Sequence, residues 1–500
     1  MFIMRLALFF SFILVSFQAY PQNRGNIWCF GDSAGIDFNQ TLPSPIRSMV
    51  KTRGSTSSIS DSLGNLLFYV ATNSGTIGNT AKIWCSDNSI MQNGDSIVGQ
   101  GWFNEESIAP NPLNNNTYYL FSIGVTTSGP TGFFYSLIDM NLNGGLGAVV
   151  QKNIQLQPFK IDDEVSLIKH GNGRDWWVFF RSNFSPNDTI YSYLISVNGI
   201  SNLIWQKINS INNGHAKRIV FTNDGKHAVL TNFGGLIEFV DFDRCTGLFS
   251  NSINISNELE TPSLFGVAIS PNDSKLYIST DSNSPDTCYI FQYDLNATDI
   301  RGSKDTIYTY SFPPSYYEVG LLELAPNGKI YVANQYQNGV NVPFPYQDSM
   351  YNYINMNLSV INDPDQLGSA CNFQSYSFYL GGARAYWGLP NNPNYDLPAL
   401  QNSICDTITT VNSVEQTKPK LNVFYHTDWK KLFVNASGLK DGEYHLAIYT
   451  IDGKLIFSSP TSSLSGFLTK DIAAEGFSSG TYIVVLENGK VKLTEKFIAN

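Results

Sequence analysis

The chain has 500 residues, more than one ordinary domain holds, and its 42% apolar content excludes a long disordered protein. Only 14% of residues are charged, and a formal charge of −10 argues against the basic footprint of a nucleic-acid binder. Aromatics also reach 14%, beside 40 Gly and 22 Pro, a composition suited to many short strands joined by turns.

At the N-terminus a single positive charge, Arg5, precedes an apolar run, Leu6–Phe17, broken only by Ser11 and Ser16. As a helix that run reaches roughly 18 Å, short of a hydrocarbon core of about 30 Å. Residues 1–19 therefore read as a signal peptide, with Ala19 available for cleavage. No later stretch is long and apolar enough to span a membrane as a helix. An exported protein with no integral membrane segment is expected.

From Asn26 to Pro390 one phrase recurs, a polar turn followed by a short alternating strand. It reads SLGNLLFYVA (62–71), NNNTYYLFSI (114–123), GNGRDWWVFF (171–180), TNDGKHAVLT (222–231), PNDSKLYIST (271–280) and APNGKIYVAN (325–334). Asn, Asp, Gly and Ser tolerate the positive φ of tight hairpins. With Gly64, Asn116, Arg174, Gly225, Ser274 and Gly328 as anchors, the intervals are 52, 58, 51, 49 and 54 residues. That spacing is near the roughly 40–50 residues of propeller blades. Further strands follow each hairpin, making about four per unit. About seven blades are expected over residues 20–400, the closing one combining Phe373–Pro390 with Asn26–Gly31.

Residues 401–420 read as a linker, with Pro, Asn and Thr and no sustained period. Beyond it, residues 421–500 carry short alternating strands and the hairpin signals Asp452-Gly453 and Asn488-Gly489. The expected fold is all-β: a propeller followed by a small Ig-like antiparallel sandwich.

Candidate chemistry is sparse. Six cysteines, at 29, 85, 245, 288, 371 and 405, form no C-x-x-C pair. Fifteen pairings into three disulfides are open, beside buried thiols or a few staples. Glu105-Glu106 and Asp162-Asp163-Glu164 are the densest acidic spots. Strand neighbours point to opposite faces, so these acids read as solvated loop or turn carboxylates. Histidines 170, 215, 227, 426 and 445 lack metal-ligand spacing, no serine stands in a G-x-S-x-G elbow, and residues 281–286 lack the EF-hand pattern. GGLG (144–147) opens no helix that would hold a phosphate. No catalytic, metal or cofactor site is assigned. Trp102 and Trp387 are the candidate ligand-facing aromatics, whereas Trp176 and Trp177 hold consecutive strand positions, so that one is expected to enter the core and one to face the neighbouring blade.

Two resemblances complete the reading. NIWCFGDSAGIDF (26–38), HGNGRDWWV (170–178), LAPNGKIYVA (324–333) and LGGARAYWGLP (380–390) resemble secreted propeller-like proteins of Bacteroidetes, which implies the propeller fold. IYTIDGKLIF (448–457), SSGTYIVVLENGK (478–490) and TEKFIAN (494–500) resemble the C-terminal sorting domain of type IX secretion cargo. Tyr425-His426 stands near where that family carries Asn-Pro. The motif positions are Asp452, Gly453, Lys454, Gly480, Tyr482, Gly489, Lys496 and Phe497. The resemblance implies passage through the periplasm to the medium or outer-membrane surface, with the type IX machinery as partner. The expected function is a surface or secreted binding propeller for a glycan, peptide or protein. The alternative is an extracellular carbohydrate-active hydrolase or lyase using acids at the propeller mouth.

Overall fold

A computed structural model describes residues 23–72, 81–99, 103–124, 131–182, 189–208, 217–256, 263–280, 287–311, 316–337, 351–406, 419–426, 430–437, 439–440, 442–463 and 467–499. The signal-peptide segment 1–19, Trp102, His215 and residues 281–286 lie outside them.

Between Ile27 and Tyr379 the described residues form seven antiparallel sheets in chain order. The first holds Ile27–Phe30, Asp32–Asp37 and Ser44–Lys51, and the second Thr56–Ser60, Leu66–Thr72 and Ala81–Cys85. The third holds Glu106–Asn111, Asn114–Gly124, Gly132–Asp139 and Ala148–Gln157. The fourth is built from Ile161–Lys169, Trp176–Ser182 and Thr189–Ser196, with Gly199–Ile200 and Ile204–Lys207 beside its third strand. The fifth holds Arg218–Phe221, His227–Thr231, Ile237–Asp243 and Leu248–Asn254. Leu264–Ile269, Lys275–Thr280, Thr287–Asp294 and Asp305–Ser311 make the sixth. Tyr316–Leu324, Ile330–Gln337, Asn357–Ile361 and Phe373–Tyr379 make the seventh. The first strands of the second to seventh sheets pack side by side in that order and surround a channel.

The recurring phrase marks the turn between first and second strands. Its left-handed residues are Gly64, Gly173, Gly225, Asp273 and Gly328, all with φ between 61° and 91°. Two anchors thus sit one residue late, since Gly173 and Asp273 take the position assigned to Arg174 and Ser274. The Asn116 anchor lies inside a strand, beyond the short Pro112-Leu113 link.

Alternating apolar residues of each strand fill the spaces between sheets. Trp176 packs into the core shared with the second and third sheets, and Trp177 into the core shared with the fifth, as strand alternation requires.

Ring closure differs from the sequence reading in one respect. Phe373–Tyr379 is the last strand of the seventh sheet and does not join the N-terminal strand. Gly381 and Gly382, with φ of 62° and 84°, lead the chain inward. Leu321 N–H then donates to Trp387 O and Gly388 N–H to Arg53 O. Residues 384–391 therefore run between the first strands of the seventh and second sheets, leaving no open sheet edge at the seam. Asp32 and Arg384 exchange backbone hydrogen bonds, and their side chains form a buried ion pair at 2.8 Å.

The tail is a sandwich of two antiparallel sheets. Lys420–His426, Lys431–Ser437 and Phe467–Ala473 form one. Leu455–Ser463, Gly442–Thr450, Gly480–Glu487 and Lys492–Ala499 form the other. Leu432, Val434, Leu446, Ile448, Val484 and Leu486 bury the interface between them.

Candidate functional site

The chain does not leave the ring at residue 400. Asn391 enters the channel, where its Nδ2 donates to the carbonyls of Asn104, Glu106 and Val165, joining the third and fourth sheets. Farther along, Tyr395 donates its hydroxyl to Ile108 O, and Lys169 Nζ donates to Tyr395 O. Arg244 donates to Pro398 O, Leu400 N–H donates to Gly171 O, and Cys405 is disulfide-bonded to Cys245 of the fifth sheet. Residues 391–406 are thus a strap pinned to the propeller, so 401–406 belongs to the ring and not to the linker. Of the six cysteines, Cys29, Cys85, Cys288 and Cys371 are buried and form no disulfide.

The strap fills only part of the channel. Beside it remains a cavity of about 280 Å³ bounded by the strap and by the first, fourth, fifth, sixth and seventh sheets. Exposed Pro326, Asn394 and Asp396 stand at its rim, on the hairpin-turn face. Glu164, Arg218 and Glu323 line its walls. Glu164 accepts from Ser166 Oγ at 2.7 Å, Ile219 N–H at 3.0 Å and Arg218 Nε at 3.2 Å. The Nη1 of Arg218, a residue more than nine-tenths buried, has no hydrogen-bond partner. Burial pushes the Glu323 carboxyl up to about 8, with Arg218 acting against the rise and Glu164 adding to it. Burial also raises Glu164, and the Arg218 guanidinium opposes that rise.

A second set of ionisable groups stands where the first strands begin, at the other end of the channel. Glu105, Glu106 and Asp162 are wholly buried. The solvated-loop reading of the two acidic runs is therefore overturned, because the starts of first strands lie inside the ring. Lys217 Nζ meets Asp162 at 3.1 Å. Glu105 is raised by burial and then by the charge of Asp163. Asp163 is pushed up to about 7 by burial and by Asp162, against the pull of Lys217. Trp387 is half-buried here, beneath the Arg53 guanidinium and 6.1 Å from Phe265. Its partner in the sequence reading, Trp102, lies outside the described residues.

Other candidates resolve structurally. His170 Nδ1 accepts from Asn172 N–H, and its Nε2 is 3.0 Å from Cys245 O. Among the described residues no group of three or more His, Cys, Asp and Glu is arranged to hold a metal. In the tail, Tyr482 and Phe497 stack in the core at 5.3 Å, and Tyr482 donates its hydroxyl to Ser478 O. Gly453 and Gly489 occupy positive-φ turns, Asp452 and Lys454 are exposed beside the first, and Lys496 is exposed. Gly480 opens its strand opposite Ala499.

A ring of antiparallel sheets around a channel, each running outward in chain order, is a β-propeller. The sandwich that follows it is a sorting tail: residues 430–500 match the family described as "Secretion system C-terminal sorting domain". The chain is thus type IX secretion cargo, secreted or displayed on the outer-membrane surface. No helix among the described residues is long and apolar enough to cross a membrane. No curated protein matches the chain. Among solved structures it is similar to a periplasmic gluconolactonase of Pseudomonas aeruginosa, at 12% identity and TM-score 0.37 over 81% of this chain and 99% of that one. It is also similar to a putative 6-phosphogluconolactonase of Bacteroides uniformis, at 13% identity and TM-score 0.40 over 65% and 96%. The Swd1 β-propeller domain of Myceliophteria thermophila gives 12% identity and TM-score 0.37 over 64% and 94%.

Proposed function

We propose that this exported propeller binds a small ligand in the part of its channel that the strap leaves open. Arg218 carries the proposal: a buried guanidinium in the cavity wall has an unpaired N–H, and a buried donor without an acceptor is costly. A ligand acceptor offsets that cost. Concave walls with a few fixed polar groups are the usual form of a small-molecule site. Titration of the whole secreted protein with a ligand panel tests the reading; a hit that Asn394→Trp at the rim leaves unchanged would refute it.

One observation favours the second reading, a carbohydrate-active hydrolase or lyase: two carboxyl groups, Glu164 and Glu323, line the same cavity. Glu323 is held as an acid and Glu164 is paired with a cation, environments of the kind that divide acid and base roles. Turnover of a glycan that is abolished in Glu323→Gln would establish it. Binding without turnover leaves the first.

For sorting, the exposed Asp452, Lys454 and Lys496 are proposed to meet the type IX machinery, with Tyr482 and Phe497 holding the sandwich that presents them.

A further inference from the structure

We infer that the cavity takes a neutral, polyhydroxylated ligand of about one or two sugar rings, an assignment that rests on the binding reading above. The argument begins with charge. At the inner end Glu164 and Arg218 neutralise one another, and Glu164 is already occupied by three donors. Burial pushes the Glu323 carboxyl up to about 8, which favours its neutral form at pH 7. The inner wall therefore has no net charge to offer. A ligand bearing a charge of either sign would lose its hydration without gaining a counter-ion, which is costly.

The hydrogen-bonding inventory then narrows the class. Arg218 Nη1 needs an acceptor, while a protonated Glu323 carboxyl both donates and accepts. A hydroxyl group serves each of these, and two hydroxyls on neighbouring carbons serve them together. Between the polar points the wall is apolar, formed by Trp28, Val220, Val267 and Ile269. Sugar rings present C–H faces between their hydroxyls and match that alternation. About 280 Å³ admits one or two such rings, so only the end of a longer chain would enter.

The strap supplies a third wall. Asn391 spends its amide on backbone carbonyls and Tyr395 its hydroxyl on Ile108 O, so both are positioning residues. Asn394 is exposed at the rim and is the place to obstruct the mouth without disturbing the core.

Calorimetric titration of the whole secreted protein tests the assignment. Neutral probes are glucose, galactose, mannose, myo-inositol, lactose and cellobiose. Charged probes are glucuronate, galacturonate and glucosamine. Soluble starch and dextran form a polymer arm, which separates free sugars from chain ends as the source. The expected result is saturable binding of at least one neutral probe, about tenfold or more tighter than its charged counterpart. Arg218→Lys and Asn394→Trp should each weaken it about tenfold, with unchanged melting curves showing that the fold survives.

Affinity should also fall as pH rises through about 8, where Glu323 ionises facing Glu164 and Arg218, with Asp396 at the rim. Glu323→Gln, whose amide cannot ionise, should remove that pH dependence. Tighter binding of a uronate or amino sugar, abolished by Asn394→Trp, overturns the ligand class but leaves the site standing. Neutral-probe binding indifferent to both Arg218→Lys and Asn394→Trp overturns the site itself. Silence from every probe, free and polymeric, overturns the inference.

Discussion

Glu106 shows how far burial alone sets the chemistry of a side chain in this ring. It has no exposed surface, accepts from Ser55 Oγ, and keeps Oε1 without a partner. Burial pushes its carboxyl up to about 8 from an ordinary 4.5. The fold therefore favours the protonated form, while the unfolded chain ionises near pH 4.5. The contribution is fully present below that pH and is lost as pH rises through about 8. Asp163, raised to about 7, adds to the same loss. Urea unfolding midpoints are expected to fall between pH 5 and 8.5, by a stability difference on the order of a few kcal/mol. Glu106→Gln, which keeps an acceptor for Ser55, should flatten the slope; an unchanged slope would assign the loss to other groups. None of this was legible in sequence. Two adjacent acids look alike in a solvated turn and at the start of a first strand, and only closure of the ring distinguishes the two.

Among the elements, the hairpins were legible and the strap was not, for one physical reason. A hairpin turn needs residues that accept positive φ, so Gly64, Gly225 and Gly328 announce themselves locally. The strap has no period, and its shape is set by partners hundreds of residues away, such as the carbonyls of Asn104 and Val165 held by Asn391. Its disulfide closes 160 residues of chain. A loop of that length constrains the unfolded chain by about 5 kcal/mol in the loop-entropy treatment, an upper figure where the reduced chain keeps structure. Replacing Cys245 and Cys405 by Ser should lower the urea midpoint and open 391–406 to proteolysis. Protection equal to the parent would mean that the hydrogen bonds suffice. The seam tests a second element. Arg384→Met leaves Asp32 buried beside Tyr351 without its cation and should cost about 3–5 kcal/mol. Adding Asp32→Asn should recover much of that loss. No recovery would show that Arg384 acts through packing alone.

At the scale of the whole molecule, two kinds of information built the two parts. The propeller was readable because a polar-turn phrase returned about every fifty residues, and a repeat that closes on itself needs no other signal for its fold. The proposed binding site was not readable, since Glu164, Arg218 and Glu323 come from three different sheets and no local motif joins them. The tail was readable as an address through short phrases, yet its eight motif positions divide in the structure. Tyr482 and Phe497 are core, while Asp452, Lys454 and Lys496 are exposed. That division makes export separable from folding. Deleting Leu421–Asn500 should leave the propeller in the periplasm, still binding its ligand and still resistant to protease, as followed by fractionation and immunoblotting. Phe497→Ala should reproduce the retention by unfolding the sandwich, because loss of a buried aromatic costs about 3–5 kcal/mol. Replacing Asp452, Lys454 and Lys496 together by Ala should retain the protein with its tail still folded. Export of that triple variant at the parent rate would move recognition to another face of the sandwich, and export of the deletion would remove the tail from sorting altogether.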